Sequence, residues 1–111
     1  MQFGEIWFVN FEPSVGHEYQ KKRPAVIIQS DRQLKCSALV TVMPLTSQID
    51  KPRRDDILVR KNSHNNLFAD STIRVHVIAS FDKSRFMKRI GRMDDDIMNR
   101  IKEYLKMHFG I

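Results

Sequence analysis

A single cysteine in 111 residues removes a class of explanations, because Cys36 has no partner for an internal disulfide and no second thiol at metal-site spacing. The fold has to hold by packing alone. No apolar run approaches the roughly 18 to 20 residues of a membrane-spanning helix. The opening Met1-Gln2-Phe3-Gly4-Glu5 also lacks the basic and apolar regions of a signal peptide, so a soluble, cytoplasmic protein is expected. There is no cluster of His, Asp and Glu at metal-ligand spacing, no Gly-rich phosphate loop and no serine nucleophile elbow, so no metal and no cofactor is expected. Internal repeats, linkers and low-complexity tracts are missing too, and the length suits a single domain over residues 1–111. Acidic residues are in deficit: 13 Asp and Glu stand against 19 Lys and Arg, a net charge of +6 and a pI of about 9.8. Such a balance favours a polyanionic partner, a nucleic acid or an acidic protein. A membrane surface is disfavoured, because the basic residues fall in loops and strand ends rather than along an amphipathic helix.

What is present reads mostly as strand. Glu5 to Phe11 mixes aromatic and β-branched residues that suit a pleated surface. Pro13 and Gly16 break it, and a polar loop leads to Arg23, which Pro24 forces into an extended geometry. Ala25 to Gln29, Ala38 to Leu45 and Ile57 to Arg60 are the next strands, with a polar, basic loop from Ser47 to Asp56. Ser71 to Ile78 reads as a fifth, whose period of two puts Arg74 and His76 on one face. Asp82 to Arg85 suggests one helical turn and Lys88 to Met93 a last strand. Asp94-Asp95-Asp96 then supplies an N-cap for a helix to about His108, with Ile97, Ile101, Leu105 and either Tyr104 or His108 on its buried stripe. Five or six short strands with one terminal helix predict a mainly β, α+β fold built on a small, strongly bent sheet or barrel.

The segment from Gly4 to Asp31 sets a loop carrying His17, Glu18 and Arg23 between two apolar strands. Together with Pro44-Leu45-Thr46-Ser47-Gln48 it resembles the MazF/PemK family of bacterial toxins. The resemblance covers nearly the whole chain, strongly through Ser47 and loosely after Asp82. It implies an SH3-like barrel with a C-terminal helix, the CcdB/MazF-like fold. It also implies a homodimer that cuts single-stranded RNA to 2′,3′-cyclic phosphate and 5′-hydroxyl ends, arresting growth unless an acidic, flexible antitoxin tail fills its groove.

Metal-free RNA cleavage uses the neighbouring 2′-hydroxyl as nucleophile and asks the protein for a base, an acid and cations around the phosphorane. Arg23 is the first candidate, as phosphate clamp and possible acid; the alternative is an anchor for Glu18 or Asp31. Thr46 is a phosphate donor or an ordinary turn former. His17 is an acid or base by the resemblance, or a solvated loop residue. Arg74 matches a functional arginine of the family, whereas His76 stands where an acidic residue is usual, so it either takes over proton transfer or marks weaker catalysis. Expected RNA contacts are Glu18, Tyr19, Lys21, Lys22, Ser47, Gln48, Lys51, Arg53 and Arg54. Trp7, Phe8, Phe68 and Phe81 are either stacking platforms or core.

Two other functions compete. The chain ends Phe109-Gly110-Ile111, similar to the Trp-Gly-Ile end of CcdB, a gyrase poison of the same fold. A non-catalytic RNA-binding module would draw on the same basic surface.

Overall fold

The computed structural model describes residues 1–12 and 22–111. Among these, seven strands are present: β1 (Glu5–Asn10), β2 (Lys22–Ile27), β3 (Leu39–Thr46), β4 (Ile57–Val59), β5 (Ser71–Ile73), β6 (Ala79–Asp82) and β7 (Phe86–Arg92). Two α-helices, α1 (Asp31–Cys36) and α2 (Asp95–Phe109), join them, with one 3-10 turn at Lys83–Arg85. The pairings are antiparallel, in the order β4-β5-β3-β2-β1-β7, with β6 also on β3.

β3 organises this sheet. One edge pairs with β2, while the other pairs first with β6 through Leu39–Val42 and then with β5 through Leu45 and Thr46. Pro44 falls where the second partner changes, a position at which its missing N–H leaves no gap in a ladder. Its carbonyl accepts the Arg74 amide at 3.0 Å.

Alternation along these strands feeds two cores. Val26, Met43 and Leu45 join Ile6, Ile73 and Val75 under α2, while Ala25, Ile27, Val40 and Val42 gather with Val9, Phe11, Leu34 and Phe86. Leu34 is the one buried residue of α1, a helix capped by Ser30, whose Oγ accepts the Gln33 amide at 3.2 Å.

Three expectations are corrected. The run Ser71 to Ile78 is not one strand: β5 stops at Ile73, Val77 donates to the Arg74 carbonyl across a turn, and the chain restarts as β6. One edge of β3 has to serve both pieces, so neither can be long. α1 is a helix where no strand or helix is expected, since its six residues are too few for a hydrophobic period to show. On α2 the buried residues are Met98, Ile101 and Tyr104, with Ile97 and Leu105 flanking them and His108 exposed. Asp94 takes the N-cap backbone geometry, yet its carboxylate accepts from Asn62 Nδ2 rather than capping the helix.

Candidate active site

The β2–β3 register pairs Ala25 with Pro44, and carried two residues further it sets Arg23 across from Thr46. Thr46 faces Thr72 on β5, which faces Leu58 on β4, and Arg23 faces Val9 on β1. Val9, Arg23, Thr46, Thr72 and Leu58 therefore form one row across five strands, on the face that holds the smaller core. Arg23 is half-buried and Thr46 buried, so both are held by the sheet. The Thr46 hydroxyl oxygen accepts the Gln48 amide at 3.2 Å, a local turn bond that leaves its own proton to donate elsewhere.

A second row lies beside the first. Ile57 pairs with Ile73, so Asp56 faces Arg74 one residue on, and Arg74 in turn lies against Pro44. Arg74 Nη1 donates to Asp56 Oδ2 at 2.5 Å and to the Lys51 carbonyl at 3.3 Å. This ion pair is enclosed, with the Arg74 side chain 10% and the Asp56 side chain 1% exposed. The same carboxylate oxygen accepts the Arg53 amide, and the Asp56 amide returns to the Arg53 carbonyl at 3.1 Å. The end of the 47–56 loop is thus folded over a buried guanidinium.

His76 is exposed and both ring nitrogens are engaged. Nε2 lies 2.6 Å from the Arg54 carbonyl, and Nδ1 lies 3.0 Å from the Tyr104 hydroxyl. That hydroxyl also meets His108 Nδ1 at 3.0 Å. Burial, with the charges of Asp55 and Asp56 adding to it, raises the Tyr104 pKa above its ordinary value of 10.0, so the phenol keeps its proton at neutral pH.

A family model described as "PemK-like, MazF-like toxin of type II toxin-antitoxin system" matches residues 2–109. The chain belongs to this toxin family. It is 30% identical to endoribonuclease MazF9 of Mycobacterium tuberculosis over 116 residues, covering 100% of this chain and 98% of that one. Endoribonuclease EndoA of Bacillus subtilis is 28% identical over 108 residues, covering 97% and 93%. Among solved structures, MazF from Deinococcus radiodurans superposes with a TM-score of 0.84 at 20% identity, over 100% of this chain and 97% of that one. An endoribonuclease from a mycobacterial species, solved with its cognate antitoxin, gives 0.79 at 15% identity, over 100% and 96%. The MazF/CcdB-like fold expected from the sequence is thus the fold observed.

Within this PemK/MazF-like toxin, Arg23 and Thr46 lie at the adjoining ends of the antiparallel strands β2 and β3, whereas Arg74 and His76 meet only through the 47–56 loop that both of them hold. The expectation that Arg74 and His76 share a strand face is corrected, because a turn separates them. Lys22, Ser47, Gln48, Lys51, Arg53 and Arg54 are exposed, the first three next to Arg23 and Thr46 in the chain and the last three on the loop held by Arg74, Asp56 and His76. His17, Glu18, Tyr19 and Lys21 lie outside the described residues. Of the aromatic candidates, Trp7 packs edge-on against Phe86 with its indole N–H on Glu5, and Phe81 packs against Phe11, so both serve the core. Phe8 pairs with Pro24, the neighbour of Arg23, which sends it to the opposite face. Phe68 is 90% exposed and borders a groove with Phe8, Lys88 and Arg89, away from Arg23.

Sequence reasoning misses three residues around this loop. Asp56 reads only as a loop boundary, although its carboxylate is the partner of Arg74. Tyr104 reads as packing and His108 as having no role. Their spacing of four on a helix is the available signal, since such residues share a face.

Proposed function

We propose that this protein is the toxin of a type II toxin-antitoxin system, a single-domain, cytoplasmic endoribonuclease that cuts single-stranded RNA without a metal. The observation that carries the reading is the placement of Arg23 and Thr46 at the adjoining ends of the paired strands β2 and β3, in a chain matched over nearly its whole length by named endoribonucleases. Arg23 clamps the scissile phosphate through paired N–H donors, and the Thr46 hydroxyl donates to a second oxygen. The 2′-hydroxyl attacks phosphorus and loses its proton to a base; the P–O5′ bond breaks, and the leaving oxygen takes a proton from an acid. His17 fills one of those roles and Arg23 is the candidate for the other, with Arg74 and His76 as supporting groups. Arginine keeps its proton far above neutral pH, so it suits the acid better than the base.

The +6 surface also fits an acidic antitoxin tail, which would compete with RNA for Lys51, Arg53 and Arg54. A mycobacterial endoribonuclease solved with its cognate antitoxin supports this partner, and the resemblance to the family implies that the active form is a homodimer. The C-terminal Phe109-Gly110-Ile111 needs no gyrase: Gly110 is the left-handed cap of α2, and the Ile111 amide closes on the Lys106 carbonyl.

The test is incubation of purified protein with a long unstructured RNA in EDTA, followed by mapping of the product ends. Site-specific cuts with cyclic phosphate and 5′-hydroxyl ends are expected. Intact RNA, or cuts with 3′-hydroxyl ends, would overturn the reading.

A further inference from the structure

The hydrogen bonds around His76 can be assigned a direction. A backbone carbonyl only accepts, so His76 Nε2 carries a proton toward Arg54. In the neutral ring Nδ1 is then a lone pair and takes the Tyr104 hydroxyl proton. With that proton committed, the Tyr104 oxygen can only accept from His108, which must hold its proton on Nδ1. Three bonds run one way, from His108 through Tyr104 and His76 to the Arg54 carbonyl.

The end of this chain falls on a strained turn. Arg53 and Asp56 close a four-residue turn, with Arg54 and Asp55 at its centre. Asp55 has a φ of 69°, and Arg54 is not among the positive-φ residues. A positive φ at the third position alone is the type II turn, which favours glycine there and differs from type I by a flip of the central peptide. The carbonyl of that peptide belongs to Arg54. His76 therefore grips the group whose orientation separates the two turns, offsetting the strain of a non-glycine residue in this region.

We propose that Tyr104 is a positioning residue for the RNA-facing loop: by holding His76 it keeps the Arg54–Asp55 peptide in its type II orientation and so fixes where Arg53 and Arg54 meet RNA. Tyr104 sits on α2, buried, and touches no proposed RNA contact. The part of this inference that concerns RNA rests on the function proposed above. The loop coupling itself does not.

The test pairs two readouts on Tyr104→Phe, a substitution that keeps the ring and removes only the hydroxyl. The first is limited trypsin digestion, comparing cuts after Arg53 and Arg54 with cuts after Arg89 in β7 as the reference for global unfolding. Loop cutting is expected to rise about 2- to 10-fold, the worth of one hydrogen bond, with the Arg89 cut unchanged. The second is RNA cleavage, in which KM is expected to rise by a similar factor while kcat holds. Two further variants separate positioning from packing. His76→Gln, whose amide offers both a donor and an acceptor, is expected to keep loop cutting near the wild-type level. In an Asp55→Gly background, where glycine relieves the strain, Tyr104→Phe is expected to lose most of its effect.

Equal loop cutting in wild type and Tyr104→Phe would overturn the proposal, as would a parallel rise at Arg89. Nitrogen-15 shifts placing the His76 proton on Nδ1 would overturn it too. If wild-type protein leaves RNA intact, the nuclease reading falls, and the trypsin comparison still decides the coupling.

Discussion

Removing the Asp56 carboxylate should be the most damaging single change in the 47–56 loop. Its side chain is 1% exposed and that of Arg74 10%, so in Asp56→Ala the guanidinium keeps its charge without its partner and with little access to water. Breaking a buried pair in this way costs about 3–5 kcal/mol. At an unfolding entropy of about 2.1 cal/mol/K per residue, a chain of this length loses roughly 4 °C in Tm per kcal/mol, so a fall of about 12–20 °C is expected. The Arg53 amide loses its acceptor as well, which adds to the loss. Thermal unfolding of wild type, Asp56→Ala, Arg74→Met and the double variant forms a cycle. A coupling of at least about 2 kcal/mol is expected, the double variant being more stable than Asp56→Ala because no orphaned charge remains. Additivity within about 0.5 kcal/mol would show that the pair does not hold the loop.

Two further outcomes follow from charge. In Glu5, burial raises the pKa, but hydrogen bonds from the Trp7 indole, Arg89 and the Gln2 amide, with the nearby N-terminal ammonium, outweigh it and leave the group below its ordinary 4.5. A depressed carboxylate contributes stability above its unfolded pKa and loses it as pH falls through the folded one. The stability gap between wild type and Glu5→Gln, measured by urea unfolding, should therefore be full at pH 7 and close below about pH 4.5; a constant gap would refute the assignment. For RNA binding, log K should fall with log[salt], and removing one cation that neutralises a phosphate should flatten the slope by about 0.7. Arg54→Ala should show that flattening, and an unchanged slope would remove Arg54 from the interface.

The strands are legible in the sequence wherever alternation feeds a core, as in Val26, Met43 and Leu45 against Ala25, Val40 and Val42. Arg23 and Thr46 stand out as candidates in the sequence mainly through the resemblance, in the Arg23-Pro24 pair and the Pro44-Leu45-Thr46-Ser47-Gln48 run, since the residues alone leave Arg23 open to an anchoring role and Thr46 open to a turn role. Arg74 to Ile78 alternates as a strand does, yet the β3 edge it would occupy is shared with β6, and such competition is a tertiary fact. α1 has six residues and one buried side chain, too short for a period to show, although Ser30 and Gln33 carry a capping signature. The Arg74–Asp56 pair and the Tyr104–His76 contact join residues 18 and 28 apart, and no local pattern announces either.

The central claim is that Arg23 acts on the scissile phosphate from within a row that includes Thr46. Single-turnover cleavage in EDTA by wild type, Arg23→Lys and Arg23→Ala, with RNA affinity measured alongside, tests it most directly. The expected result is a fall of at least about 100-fold in the cleavage step for Arg23→Ala, the scale of losing one preorganised donor to the transition state. Partial activity is expected for Arg23→Lys, and near wild-type RNA binding for both. Equal cleavage rates in the three proteins, or a loss seen only in affinity, would contradict the claim.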